Sequence, residues 1–84
     1  MSTTTTEDLK VELGQLVSDV NFWKETPSTY GFAFVIKNCQ HGGTTASRND
    51  FPTYEIAVWE ALQIAKEITA QGFHYHGGTK RYKN

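Results

Sequence analysis

Residues 53–72, TYEIAVWEALQIAKEITAQG, carry the clearest structural signal in this chain. Thr53 is a good N-cap, because its hydroxyl can accept a hydrogen bond from an unpaired N–H of the first helical turn. Gly72 is a typical residue just beyond a helix end. Between the two, apolar residues recur every three or four positions, which predicts an amphipathic helix from Tyr54 to about Ala70. Its apolar stripe comprises Tyr54, Ala57, Val58, Ala61, Leu62, Ala65 and Ile68.

The segment before this helix predicts a β-hairpin. In residues 30–39 large side chains alternate with small ones, which is the period of a strand whose aromatic face packs on a helix. The glycines at 42–43 favour a turn, and a more polar strand is predicted at 44–48. Residues 49–53 are interpreted as a break. The large side chains of the first strand are Tyr30, Phe32, Phe34 and Ile36.

The N-terminal region predicts another helix, from Glu7 to Val20, capped by one of the threonines at 4–6. A short third strand is predicted at 73–76. Both ends of the chain, residues 1–6 and 77–84, are expected to be flexible. The apolar residues that share one face of the first helix are Leu9, Leu13, Leu16, Val17 and Val20.

Together these elements predict one α+β domain spanning residues 1–84. The predicted order is helix–strand–strand–helix, with a small antiparallel sheet and the short strand near the C-terminus. We expect the helices to cover one face of the sheet. The predicted core combines the aromatic residues of the first strand with Leu13, Leu16, Ala61, Leu62 and Ile68.

The composition is that of a small globular protein rather than a disordered one. The 84 residues are 38% hydrophobic and 20% charged, with a formal net charge of −1. No run approaches the ~20 apolar residues of a membrane span, so no membrane partner is expected. Cys39 is the only cysteine, which excludes an internal disulfide. With no basic-then-apolar segment at the N-terminus, this favours a cytoplasmic location.

One segment resembles a known group of proteins. A hairpin followed by Pro52-Thr53-Tyr54-Glu55-Ile56-Ala57 and a helix ending near Ile68 is similar to small open reading frames of phages and mobile elements. In those proteins a Thr-Tyr-Glu-Glu-Ala type of helix start follows a short sheet, and here Ile56 replaces the second acid. The resemblance covers residues 30–70. It implies a small accessory or host-interaction protein, and it carries over no functional residue.

The sequence contains no recognisable catalytic motif. A glycine-rich phosphate loop, a nucleophile elbow and a zinc-protease helix motif are all missing. Cys39 could pair with a histidine as a nucleophile, but no orienting group or oxyanion site accompanies it. We therefore expect a protein that is not an enzyme and has no catalytic residues.

The cysteine and the three histidines form two pairs, Cys39-x-His41 and His74-x-His76. Residues two apart on a strand point to the same side, so two such pairs on neighbouring strands could offer four ligands to zinc. The alternative is a partly buried Cys39 with three surface histidines and no metal. The main expectation is no cofactor, and a zinc site is the alternative.

The second helix also carries a candidate protein-binding surface. If its apolar stripe faces the sheet, Ile56 and Trp59 point away from it, and Gln63 lies one turn further along. An exposed Trp next to an Ile is typical of an interface anchor. The alternative is that the first helix or the C-terminal tail covers these side chains.

The C-terminal region is basic. Residues 72–84 carry Lys80, Arg81 and Lys83 and no acid, and Tyr75 and Tyr82 lie nearby. This pattern favours a solvated tail, with nucleic-acid contact as the alternative.

The sequence thus predicts a non-enzymatic, protein-binding accessory protein that acts as a homodimer or with another protein. The runner-up is a small zinc-stabilised or nucleic-acid-binding module.

Overall fold

A computed structural model of the chain describes residues 5–37, 39, 44–75 and 81–84. The elements in chain order are α1 (Thr6–Gly14), β1 (Val17–Thr26), β2 (Thr29–Ile36), β3 (Ala46–Phe51), α2 (Tyr54–Gln71), β4 (Phe73–Tyr75) and β5 (Arg81–Lys83). Strands β1, β2 and β3 form one antiparallel sheet with β2 in the centre, and β4 pairs with β5. The predicted α+β class with a small antiparallel sheet is confirmed. None of the helices in the described ranges is both long and apolar enough to cross a membrane.

Strand β1 replaces the second half of the predicted first helix. α1 ends at Gly14, so the prediction of a helix up to Val20 is wrong for residues 15–20, which form a turn and the start of β1. Val20 and Phe22 are half-buried, whereas Asn21 and Trp23 are exposed, and Phe22 pairs with Phe32 across the β1–β2 hairpin. β-branched and aromatic residues pack well on a pleated strand, whereas glycine weakens a helix. The same valines also fit helical spacing, which explains the error.

Strand β3 continues beyond its predicted end. The break predicted at 49–53 is partly wrong, because the strand runs on to Phe51. Asn49 and Asp50 stand opposite a single residue of β2 and form a bulge, in which Asp50 has a φ of 72°. The bulge returns Phe51 to the inner face of the sheet, where its ring stacks on Phe32 with centroids 5.6 Å apart.

The apolar stripe of α2 packs on the inner face of the three-stranded sheet. Its three alanines, Ala57, Ala61 and Ala65, are completely buried, and their small side chains let the helix lie close to the aromatic face. In that face the rings of Phe32 and Phe34 are parallel, with centroids 6.0 Å apart. The predicted core is confirmed: Leu13, Phe32, Phe34, Ala61 and Leu62 are buried, and Leu16 and Ile68 pack against them.

Helix α1 lies beside α2 and contributes Leu13 to the core. Its first turn is capped by Thr5, whose hydroxyl accepts from the Asp8 N–H at 3.1 Å, as predicted for one of the threonines. An ion pair of 2.8 Å joins Glu12 of α1 to Lys66 of α2. Both side chains are about half exposed, so the pair stabilises the fold by at most about 1 kcal/mol.

A Trp–Gly pair lies on the outer face of the sheet. Trp23 of β1 pairs with Gly31 of β2, and its indole covers the glycine so closely that a Cβ there would be 2.8 Å from the indole nitrogen. A glycine in a central strand leaves a gap in the packing, and an aromatic ring from the neighbouring strand fills it.

The end of the chain is fixed to α2 by Asn84. Its side-chain NH₂ donates to the Ile68 carbonyl at 2.8 Å, and its Oδ1 lies 2.7 Å from Nδ1 of His74. Its backbone N–H donates to the Gly72 carbonyl at 3.1 Å. Residues 81–84, which fall in the stretch expected to be flexible, therefore form β5 and a polar clamp on α2. His74 is only 1% exposed, so the expectation of three surface histidines is wrong for this residue.

Candidate binding surfaces

The first surface lies on the side of α2 that faces away from the sheet. Ile56 and Trp59 are 41% and 49% exposed, whereas the buried residues on the opposite side of the same helix are at most 1% exposed. Gln63, half-buried, follows Trp59 by one turn. The spacing of three and four residues places all three on one side of the helix. We call these three residues the helix face; α1 packs beside it and leaves both large side chains exposed.

Three glutamates surround the helix face. Each is separated by four residues, or one turn, from one member of the face. They are Glu55, Glu60 and Glu67. The base nearest to them along the helix, Lys66, is already paired with Glu12. The surface therefore has an apolar centre and a negative rim.

Charge is divided unevenly between the helices and the rest of the chain. Six of the nine acidic residues and two of the eight basic residues lie in α1 and α2. Outside the two helices, the residues that the structure describes include five basic and three acidic ones. The two helices are therefore negative, while the other described residues carry a net positive charge.

The second surface lies on the β4–β5 hairpin. The register places Phe73 opposite Lys83 and Tyr75 opposite Arg81, and residues two apart on a strand share a side. The Arg81 guanidinium lies 4.3 Å from the centroid of the Phe73 ring, and the Tyr75 ring meets that ring edge-on with centroids 5.6 Å apart. Tyr75 is 37% exposed, and both bases are exposed. We call these four residues the hairpin face.

Two further cations lie next to the hairpin. Lys37 and Asn84 line one cavity of about 190 Å³. Arg48 and Tyr75 line another of about 340 Å³, which also includes Glu67. The positive charge of this region is therefore supplied by β3, by β5 and by Lys37, which follows the end of β2.

The other side of the hairpin faces inward. Tyr82 is half-buried, and its ring stacks on the His74 ring with centroids 6.0 Å apart. The sequence grouped Tyr82 with the basic residues, but Phe73 takes that place instead. In the sequence, Phe73 and Tyr75 are two residues apart, and so are Arg81 and Lys83. This spacing, which places each pair on one side of its strand, is the signal that could have identified the hairpin face. Lys80, the third basic candidate for nucleic-acid contact, lies outside the described residues.

A group of aromatic rings and lysines lies at the start of α2. The Tyr54 ring packs edge-on against Phe22 and Tyr30, with centroids 5.5 and 6.3 Å apart. Lys10 lies 5.7 Å from the centroid of the Tyr54 ring, and Lys24 lies 5.9 Å from that of Tyr30. The Tyr54 hydroxyl beside Lys10 raises the pKa of this lysine. These two lysines therefore support local packing, away from both surfaces.

The predicted zinc ligands are only partly within the described residues. Cys39 is half-buried and His74 is buried, whereas His41 and His76 lie outside the described ranges. In the part of the chain that the structure describes, no three side chains of His, Cys, Asp or Glu form a group able to hold a metal ion. One ring nitrogen of His74 is engaged by Asn84. The zinc site stays a prediction.

No protein family, curated protein or solved structure matches this chain. The functional proposal therefore depends on the chemistry of the two surfaces.

Proposed function

We propose that this chain is a non-enzymatic accessory protein that binds another protein through the helix face. The observation that carries the proposal is the exposure of Ile56 and Trp59, at 41% and 49%, on a helix whose opposite side packs on the sheet. Large apolar side chains clustered on a surface and rimmed by polar residues are typical of an interaction site. Tryptophan is also among the residues that contribute most to binding energy at interfaces.

The charge around the helix face specifies the chemistry of the partner. The three glutamates of the rim attract a segment that combines an apolar stripe with lysine or arginine at its edges. An amphipathic helix of the partner could pack its apolar side against α2, where Ile56, Trp59 and Gln63 would be the contact residues. The partner in this proposal is therefore a basic amphipathic segment of another protein.

A second copy of this chain is the alternative occupant. In a two-fold dimer the same patch meets itself, so the glutamates of one rim would approach those of the other. Like charges across an interface oppose association. This favours a different protein over a homodimer at the helix face. The resemblance to phage and mobile-element reading frames agrees with an accessory or host-interaction role.

The proposal can be tested with the fluorescence of Trp59. In a Trp23→Phe variant, Trp59 is the only tryptophan, and its emission reports whether the helix face is covered. The variant is titrated with a synthetic helical peptide that has a leucine stripe flanked by lysines, and separately with the same peptide carrying glutamates. Native mass spectrometry of the free protein gives the subunit count.

We expect a monomer whose Trp59 emission shifts to the blue with the lysine peptide only, and less at high salt, because the rim charges are screened. A dimer with Trp59 already shielded would assign the face to a second copy. The same shift with both peptides would show that the rim glutamates do not select the partner by charge.

A further inference from the structure

We propose that the hairpin face binds single-stranded nucleic acid, by stacking bases and contacting phosphates. This proposal is separate from protein binding at the helix face: the two faces share no residue, although Glu67 of the helix-face rim also lines the cavity beside Tyr75. It depends on the side-chain arrangement of β4 and β5 and on the cations that lie beside them.

The aromatic part of the hairpin face is suited to bases. The Arg81 guanidinium lies 4.3 Å from the Phe73 centroid, so the Phe73 ring holds this planar group in place. Tyr75, 37% exposed, supplies a ring beside it. Unpaired bases stack on aromatic rings and on arginine planes, and they do so with little dependence on base identity.

The basic part is suited to phosphates. Lys83 is exposed and shares the face with Arg81. Arg48 lies near Tyr75, because both line the same cavity. Lys37 lines another cavity with Asn84, where its Nζ donates to the Gln15 carbonyl at 3.5 Å, so Lys37 contributes positive charge near β5 but is not part of the hairpin face. Glu67 is the acidic residue among these neighbours. Proteins that bind single-stranded nucleic acid combine basic residues, which contact the phosphates, with aromatic rings, on which the bases stack.

The attachment of the hairpin to α2 supports this role. His74 and Tyr82 face inward, and Asn84 bonds both to His74 and to the Ile68 carbonyl of α2. The opposite side chains are thereby presented outward on strands that are hydrogen-bonded to α2. A binding surface that is ordered before it meets its ligand loses less entropy on binding.

Fluorescence anisotropy with labelled oligonucleotides tests the proposal. The probes are oligo(dT) and oligo(U) of about 12 nucleotides, a length within the usual range for one small single-strand-binding domain. A DNA duplex of the same length and unlabelled poly-glutamate are the comparison ligands. Titrations are repeated between about 50 and 200 mM salt, where phosphate contacts change affinity most visibly.

Three variants probe the hairpin face, and one serves as a matched control. Tyr75→Ala removes a stacking ring, Arg81→Lys keeps the charge but removes the planar group, and Lys83→Ala removes a charge. Lys24→Ala removes the same charge from β1, away from the hairpin. Thermal melting of each variant establishes whether the fold is retained. If Tyr75→Ala unfolds, Arg81→Lys still tests the contribution of stacking.

We expect binding of one or both single strands and weaker binding of the duplex. Tyr75→Ala should lower affinity about 5- to 150-fold, the usual effect of removing an aromatic ring on which one base stacks. Arg81→Lys should also weaken binding. Lys83→Ala should reduce the slope of log affinity against log salt by about 0.7, which is the value for one phosphate of a single strand. Lys24→Ala should change neither quantity.

Several results would overturn the proposal. No binding at the lowest salt would do so, as would wild-type affinity in folded Tyr75→Ala and Arg81→Lys variants. Equal binding of the duplex would mean that stacking is not involved. Equally effective competition by poly-glutamate would assign the hairpin face to an acidic protein instead.

Discussion

The Trp23 indole lies directly over Gly31 on the neighbouring strand, so that a side chain at 31 would meet the ring at 2.8 Å. Gly31→Ala should therefore lower the free energy of unfolding by about 1–3 kcal/mol, the usual cost of overpacking a buried site. Chemical denaturation of the variant and the wild type measures the difference.

The pair can be separated by a double-mutant cycle with Trp23→Ala. Once the ring is removed, Gly31→Ala should cost less, although the Arg48 carbonyl oxygen at 3.0 Å still opposes the new methyl group. Equal costs in both backgrounds would show that the indole does not limit position 31.

The clamp made by Asn84 predicts a second stability effect. Asn84→Ala removes the bond to the Ile68 carbonyl and the contact with buried His74, so we expect a loss of about 1–3 kcal/mol. Hydrogen exchange should show faster opening of β4 and β5 than of the three-stranded sheet. A fully stable variant with an unchanged exchange pattern would mean that the clamp does not hold the hairpin.

The N-cap of α2 predicts a smaller effect. The Thr53 hydroxyl accepts from the Ile56 N–H at 3.1 Å, so Thr53→Ala should cost about 1 kcal/mol in a denaturation experiment. Thr69→Ala, an exposed threonine on the same helix, is the matched control and should be close to neutral. The cap would be unimportant if the two substitutions had equal effects.

Metal removal distinguishes the main proposal from the zinc alternative. We expect the melting temperature and the native mass to be the same with and without a chelator, and Cys39→Ser to melt like the wild type. A stoichiometric zinc that the chelator removes, with a lower melting temperature, would instead identify the pairs Cys39-x-His41 and His74-x-His76 as a structural site.

The sequence predicted the parts of the fold whose signals are local. α2 begins at Tyr54 after Thr53, and it ends at Gln71 before Gly72, whose φ of 85° favours glycine. The alternation of large and small side chains that predicted β2 can likewise be seen in the sequence of that strand alone. These features depend on residues that are close together in the sequence, so a short stretch of sequence is enough to predict them.

The sequence failed where pairing decided between alternatives. Residues 17–20 fit a helix and a strand equally well, and the partner strand β2 selected the strand. The bulge at Asn49 and Asp50 looked like a turn because both residues are polar, and only pairing with β2 keeps them in β3.

The candidate surfaces also divide into one predicted from local sequence and one that depends on strand pairing. Ile56 and Trp59 were identified from helical spacing alone. The hairpin face was missed in part, because it depends on the pairing of Phe73 with Lys83, which the residue pattern within each strand does not specify.

The most direct test of protein binding at the helix face is the affinity of the lysine-flanked peptide for four variants, measured by anisotropy of the labelled peptide. Trp59→Ala removes the anchor and Glu60→Lys reverses a rim charge. Asp19→Lys makes the same charge change on β1, and Trp23→Phe alters the other tryptophan. We expect Trp59→Ala to lower affinity about 30-fold, the effect of losing about 2 kcal/mol at a hot spot. Glu60→Lys should weaken binding clearly, and the two sheet variants should bind like the wild type. Unchanged affinity in folded Trp59→Ala, or an equal loss in Asp19→Lys, would contradict the helix face as the binding site.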